Sequence, residues 1–311
     1  MSEKRLFRSL AAALAAALLA ATAHAESITH GATTINMDFV RVGNPANAGD
    51  TTGSPNPCGS VGYVYHIGKY EVSENQWDAV VAANAGDLLN DPGYWSGEQP
   101  AAQFSWHEAA MFCNWLTSGD VTQGYYTISR GVATPNALNH YAYAAIHGKT
   151  YFIPTENEWY KAAYYDPNKG GAGVPGYWDY PTKHDSPSVP DGIDYNGDTA
   201  FDAVFWDGYN QGHPNAVDNA GVLSGYGTMG QGGNVYEWNE TEVYAGSSRR
   251  LRGGSSSDNS INLAAAYRNH YTPTTEYYFI GFRVANVPEP GSITLLLCGA
   301  IAAMKWWRRR R

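Results

Sequence analysis

The chain has 311 residues, with 20 Lys and Arg against 29 Asp and Glu and a formal net charge of −9 at pH 7. Only 16 % of residues are charged while 14 % are aromatic and 34 are glycine, a composition that favours a loop-rich domain whose rings fill gaps between irregular segments. An acidic surface repels nucleic acid and anionic lipid, so neither is an expected partner.

Residues 1–25 open on Lys4, Arg5 and Arg8, run through an apolar Leu10-to-Ala21 stretch and close on Ala23-His24-Ala25. That pattern is a secretory signal with a small-residue cleavage site. The apolar run is shorter than the roughly 20 residues of a spanning helix. Cys58 lies in a Pro/Gly-rich loop and Cys113 on the apolar face of an expected helix. An oxidising compartment would permit a disulfide between them, but sequence does not supply the geometry.

Three helices share one start signal. Ser73 with Gln76, Ser105 with Glu108 and Thr155 with Glu158 place a hydroxyl at the cap and Glu or Gln three residues on, so each side chain satisfies an otherwise orphaned backbone N–H. Val72 and Trp77 occupy staple positions around the first box. Apolar residues then recur at helical spacing: Trp77, Val80 and Val81; Ala109, Phe112, Cys113 and Leu116; Trp159, Ala162 and Ala163. Strands are expected within 62–72, 150–153 and 279–284, where apolar residues alternate. From Asp166 to Gly233 the chain is dense in Gly, Pro, Asp, Asn and Tyr, which predicts a long irregular excursion. His107, His140 and His147 read as surface or satisfied core histidines.

Residues 287–311 carry VPEP, a short apolar stretch, two tryptophans and four terminal arginines. They resemble a PEP-CTERM sorting tail, which implies transient membrane anchoring, an exosortase-type processing protease as partner, and a Gram-negative host that makes exopolysaccharide. An ordinary tail anchor held by positive charge is the alternative. Both readings place the body outside the cytoplasm. The two ends hold eight of the 20 basic residues and two of the 29 acidic ones, leaving the body at −15.

Five motifs follow in order through the body: IPTENEWYKAAYY from Ile153, GGNVYEWNE from Gly232, RGGS from Arg252, AYRN from Ala266 and GFRVA from Gly281. Together they resemble the sulfatase-modifying-factor domain, the family of the formylglycine-generating enzyme. The resemblance spans roughly Phe39 to Ala285, within one domain of residues 26–286, and implies an α+β, C-type-lectin-like fold with little regular structure. Its catalytic members hold copper(I) between two cysteines after RGGS. Here those positions fall on Asp258 and on Leu263 or Ser260, and no oxygen or aliphatic side chain replaces a soft thiolate. Copper is therefore not an expected cofactor, and no catalytic residue is assigned.

The resemblance further implies structural calcium. One site would use the carbonyls of Gly233 and Val235 with the Glu237 carboxylate, although Gly230 stands where relatives carry Asp or Asn. The alternative for Glu237 is a buried structural hydrogen bond. A second site would use Asp218 and the Ala220 carbonyl, with Val204 at an asparagine position. The surface left by the missing cysteines is expected to be a polar, aromatic-edged groove of Tyr236, Ser255, Asp258, Asn259 and Arg268, groups suited to sugar or peptide recognition. No H-E-x-x-H, G-x-S-x-G or P-loop pattern is present. The expected function is an exported cell-surface or matrix protein that binds a polysaccharide or an envelope protein. The alternative is a divergent oxidoreductase of the formylglycine-generating type using another cofactor.

Overall fold

A computed structural model describes residues 23–288 apart from 53–55, 85–87, 91, 186–190, 193–201, 207–211 and 245. The basic and apolar parts of the expected signal, and nearly all of the sorting tail, lie outside the described residues. Among the described residues no helix is long and apolar enough to cross a membrane.

Nine strands form the two larger sheets. They are β1 (His24–His30), β2 (Thr33–Val42), β3 (Tyr65–Gly68), β4 (Thr150–Phe152), β5 (Tyr236–Val243), β6 (Ser248–Arg252), β7 (Asn269–Tyr271), β8 (Ile280–Gly281) and β9 (Ala285–Val287). The first sheet has the order β1-β2-β3-β9-β4 and the second β7-β6-β5-β8. In the β1–β2 hairpin His24 faces Phe39 and His30 faces Thr33. Ile35, Met37 and Phe39 alternate inward from β2, as a half-buried strand requires. The helices are α1 (Glu74–Ala83), α2 (Trp106–Ser118), α3 (His140–His147) and α4 (Glu156–Tyr164).

The three expected helices start where their caps place them. Ser105 and Thr155 donate backbone N–H to Glu108 and Glu158 at 2.8 Å each, and Ser73 does the same to Gln76 at 3.0 Å. In α1 the apolar stripe meets the core as expected: Trp77 stacks on Phe104 at 4.2 Å and on Phe112 of α2 at 5.6 Å. α2 corrects the single-stripe expectation, since every residue from Trp106 to Leu116 is buried. Such a helix is enclosed on all sides, which a one-face pattern does not anticipate.

Strand lengths are also corrected. Within 62–72 only Tyr65–Gly68 pairs, and within 279–284 only Ile280–Gly281 does. Alternation marks which side chains face inward, whereas ladder pairing depends on where the partner strand runs. The 166–233 region is irregular as expected, holding two-residue strands and a single 3-10 turn, Val217–Asn219, among its described residues.

α3 carries no cap box and was not legible as a helix. It is fixed by charge: His140 lies 3.0 Å from both Glu158 oxygens and 3.2 Å from Glu240, while Tyr63 donates to Glu158 at 2.8 Å. Burial disfavours the charged imidazole, but Glu158 and Glu240 outweigh it and raise the His140 pKa to about 10. Burial likewise opposes charge on Glu158, yet His140 and the Thr155 bonds hold it below the usual carboxylate range. The histidine is a satisfied core group. Cys58 and Cys113 are buried free thiols in separate parts of the core, and burial pushes both thiol pKa values up.

Candidate functional site

The second sheet supplies the site's backbone. Gly233 approaches the neighbouring chain so closely that a Cβ would meet the Val204 carbonyl oxygen at 2.1 Å, and its φ is +87°, so only glycine fits. Asn234, also left-handed at φ 61°, donates its backbone N–H to Val204 at 2.7 Å and accepts from Ser256 at 2.9 Å. These straps hold the start of β5 against the RGGS turn.

Glu237, fully buried on β5, is gripped from two directions. Arg283 donates through Nε and Nη2 to its two oxygens at 2.7 Å each, and the Trp159 indole donates at 2.7 Å. The remaining Arg283 donors reach the carbonyls of Gly68, Lys69 and Met229 at 2.9–3.2 Å. A calcium ion on the Gly233 and Val235 carbonyls would share Glu237 with this guanidinium. The position expected to supply a further ligand, Gly230, is closed to any side chain, because a Cβ there would meet the Glu71 carboxylate at 2.4 Å. A hard cation needs six or more oxygens; the Gly233 and Val235 carbonyls and Glu237 offer part of such a set, and the Glu71 carboxylate lies in the space beside Gly230. Ala220 is buried against Val204, while the exposed Asp218 lines a separate cavity.

At the expected groove Tyr236, Ser255, Asp258 and Asn262 form one hydrogen-bonded cluster, with Asp258 and Asn262 half-buried. Ser255 and Tyr236 are 0 % and 2 % exposed. Ser255 donates its hydroxyl to Asp258 Oδ2. Asn262 donates at 2.8 Å to Asp258 Oδ1 and at 2.8 Å to the Tyr236 hydroxyl. Burial raises the Asp258 pKa, opposed by the bonds from Ser255 and Tyr236. Of the two candidates for the other counted position, Leu263 packs with Tyr180, Ala203 and Phe205 in an apolar core, and Ser260 opens a 3-10 turn.

Two expected lining residues serve elsewhere. Asn259 caps the 3-10 turn Ser260–Leu263, accepting from Ile261 at 3.1 Å. Arg268 turns away and donates to Glu156 at 2.7 Å, where Arg250 and Arg252 also converge. In their place the structure brings up rings that the motifs do not mark. Tyr236 contacts Phe279 at 6.3 Å, Phe279 stacks on Tyr277 at 5.2 Å, and Tyr278 stacks on Tyr94 at 4.9 Å. Trp95 donates to the Tyr278 carbonyl at 2.8 Å. Tyr94, Tyr277 and Tyr278 are 50 %, 44 % and 37 % exposed, forming an aromatic ridge beside the Asp258 cluster. The signal available in sequence was the Tyr277-Tyr278 pair in a polar loop.

Residues 35–288 match the family described as the sulfatase-modifying factor enzyme 1-like domain. A curated relative, chaperone protein LppX of Paenibacillus barcinonensis, is 31 % identical over 105 residues. That match covers 32 % of this chain and 35 % of the relative, so the chain spans about a third of its length. Three solved structures share the fold. Treponema denticola variable protein 1 is 24 % identical with a TM-score of 0.54, covering 86 % of this chain and 100 % of that one. CarF is 22 % identical with a TM-score of 0.55, covering 81 % and 99 %. PvdO from Pseudomonas aeruginosa is 21 % identical with a TM-score of 0.52, covering 81 % and 94 %.

Proposed function

The chain belongs to the sulfatase-modifying factor enzyme 1-like family, and from that premise we propose that it is an exported, non-oxidising member whose aromatic ridge binds an extracellular ligand, a polysaccharide foremost. One observation carries the reading: Tyr94, Tyr277 and Tyr278 stand exposed and connect, ring to ring through Phe279, to Tyr236 of the Asp258 cluster. Exposed rings that are held in place offer flat apolar faces to sugar rings at little conformational cost, and nearby hydroxyls, amides and carboxyls supply direction. Export rests on the signal and tail sequences, and its agents would be a signal peptidase and an exosortase-type protease.

The oxidising chemistry of a copper thiolate pair lacks its sulfur donors at these positions, since Asp258 is tied to Ser255 and Asn262, and neither Leu263 nor Ser260 carries a thiol. The test is retention on immobilised exopolysaccharide and on a glycan array. Tyr278→Ala is expected to weaken binding about fivefold, the loss of roughly 1 kcal/mol of ring contact. Unchanged retention in a Tyr94→Ala, Tyr278→Ala double variant removes the ridge as the site. Copper-dependent aldehyde formation on a cysteine peptide would instead establish the oxidoreductase.

A further inference from the structure

The exposed tyrosines belong to a circuit of rings that runs back to Asp258. Tyr236 meets Phe279, Phe279 meets Tyr278 edge-on at 5.2 Å, and Tyr278 stacks on Tyr94, which stands edge-on to Trp95 at 4.7 Å. Trp95 in turn lies 6.5 Å from the His213 ring. The adjoining Gly212 accepts from the Ser257 hydroxyl at 3.5 Å, and a Cβ there would stand 4.0 Å from the Trp206 ring. Trp206, 48 % exposed, closes the circuit by donating its backbone N–H to the Asp258 carbonyl at 2.6 Å. The half-buried Asp258 therefore has exposed rings beside it from two loops, Trp206 from one and Tyr277 and Tyr278, which precede β8, from the other.

Charge on this surface has one sign. Among the described residues no lysine or arginine lies over any of these rings. Arg249, opposite Tyr271 in the β6–β7 ladder, is held over Trp106 at 4.0 Å and by Glu242 at 3.2 Å, and Arg268 is held by Glu156. The carboxylates present are Asp258, whose hydrogen bonds come from neutral donors alone, and the exposed Glu276 next to Tyr277. Tyr271 meets Tyr277 edge-on at 5.4 Å. Burial, then Tyr277 and the Asp258 carboxylate, raise the Tyr271 pKa, so the field of Asp258 reaches the rings around it.

Resting on the reading that the ridge binds a polysaccharide, we propose that the polymer is a hexosamine with free amino groups, its sugar faces on Trp206, Tyr277 and Tyr278 and its ammonium groups drawn to Asp258 and Glu276. The C–H face of a pyranose packs on a flat ring, and an ammonium is attracted both by π faces and by a carboxylate that no other cation neutralises. A uronic or sulfated polymer would bring negative charge to a surface with no cation to receive it. Trp206 thereby becomes a binding residue that none of the family motifs marks. A lysine-rich protein segment carries the same cation without the flat sugar face, and a lysine peptide separates the two.

The test is calorimetric titration of the full-length chain at about pH 6, where amines are protonated, with a glucosamine hexamer, its neutral N-acetylated counterpart and hexalysine. The glucosamine hexamer is expected to bind about tenfold more tightly than the acetylated one, and hexalysine is expected not to saturate. Trp206→Ala should weaken the glucosamine hexamer about fivefold through the lost ring face, and Asp258→Asn should erase the preference for the free amine. Asp120→Asn, which removes the same charge from the turn after α2, should leave every affinity unchanged. Trp206 is exposed, so its replacement decides the matter even where Asp258→Asn disturbs the fold. Equal affinity for the two sugars overturns the amine and leaves the ridge as a sugar site, whereas saturation by neither removes the ridge as well. Unchanged affinity in Trp206→Ala, an equal loss in Asp120→Asn, or hexalysine binding as tightly as the glucosamine hexamer also overturns the proposal.

Discussion

Glu237, fully buried, and Asp258, half-buried, are carboxylates flanking the same turn, and they are treated in opposite ways. Glu237 meets a guanidinium in a two-point grip plus an indole donor. Asp258 meets a hydroxyl, an amide and a phenol, with no cation among its hydrogen-bond donors. A carboxylate with a matched cation is scaffold, because removing either partner strands a buried charge. One held only by neutral donors keeps a raised pKa and leaves the surface beside it available for recognition.

The contrast breaks first at Arg283. Arg283→Met strands Glu237 and should cost about 3–5 kcal/mol in urea unfolding; a loss below about 1 kcal/mol would show that the grip is not structural. Next in size, His140→Gln removes the cation between Glu158 and Glu240. Because the folded His140 pKa is raised to about 10, its stabilisation is complete below an unfolded value of about 6.5 and fades as pH climbs towards 10. The parent chain should lose stability across that interval, and the variant should be flatter over it. Glu158, whose pKa is lowered, acts in a separate window: its contribution is complete above the ordinary carboxylate value and is lost as pH falls below that value through the lowered folded one.

Asp258→Asn sharpens the comparison from the other side. No buried charge pair is broken, so stability should change by no more than about 1 kcal/mol, while retention on polysaccharide should fall; a loss matching that of Arg283→Met would place Asp258 in the scaffold too. Smallest of all, a calcium chelator should leave the melting temperature of the purified chain nearly unchanged, because Arg283 already opposes Glu237. A downward shift of several degrees would instead establish Gly233, Val235 and Glu237 as ligands of a resident ion.

Sequence by itself determined the helix starts and the frame. The capping boxes at Ser105 and Thr155 work through contacts three residues apart, and the order of IPTENEW, GGNVYEW, RGGS, AYRN and GFRVA carries the family. It also located Asp258, and Leu263 or Ser260, where thiolates would stand, since residue identity alone decides which ions a position can hold. Tertiary structure decided the partners. That Arg283 reaches Glu237 across 46 positions, that Arg268 turns to Glu156, and that Glu71 fills the space beside Gly230 depend on which loops meet. A side chain's charge is written in the chain, whereas its pairing is fixed only when distant segments pack and exclude the water that would otherwise satisfy it.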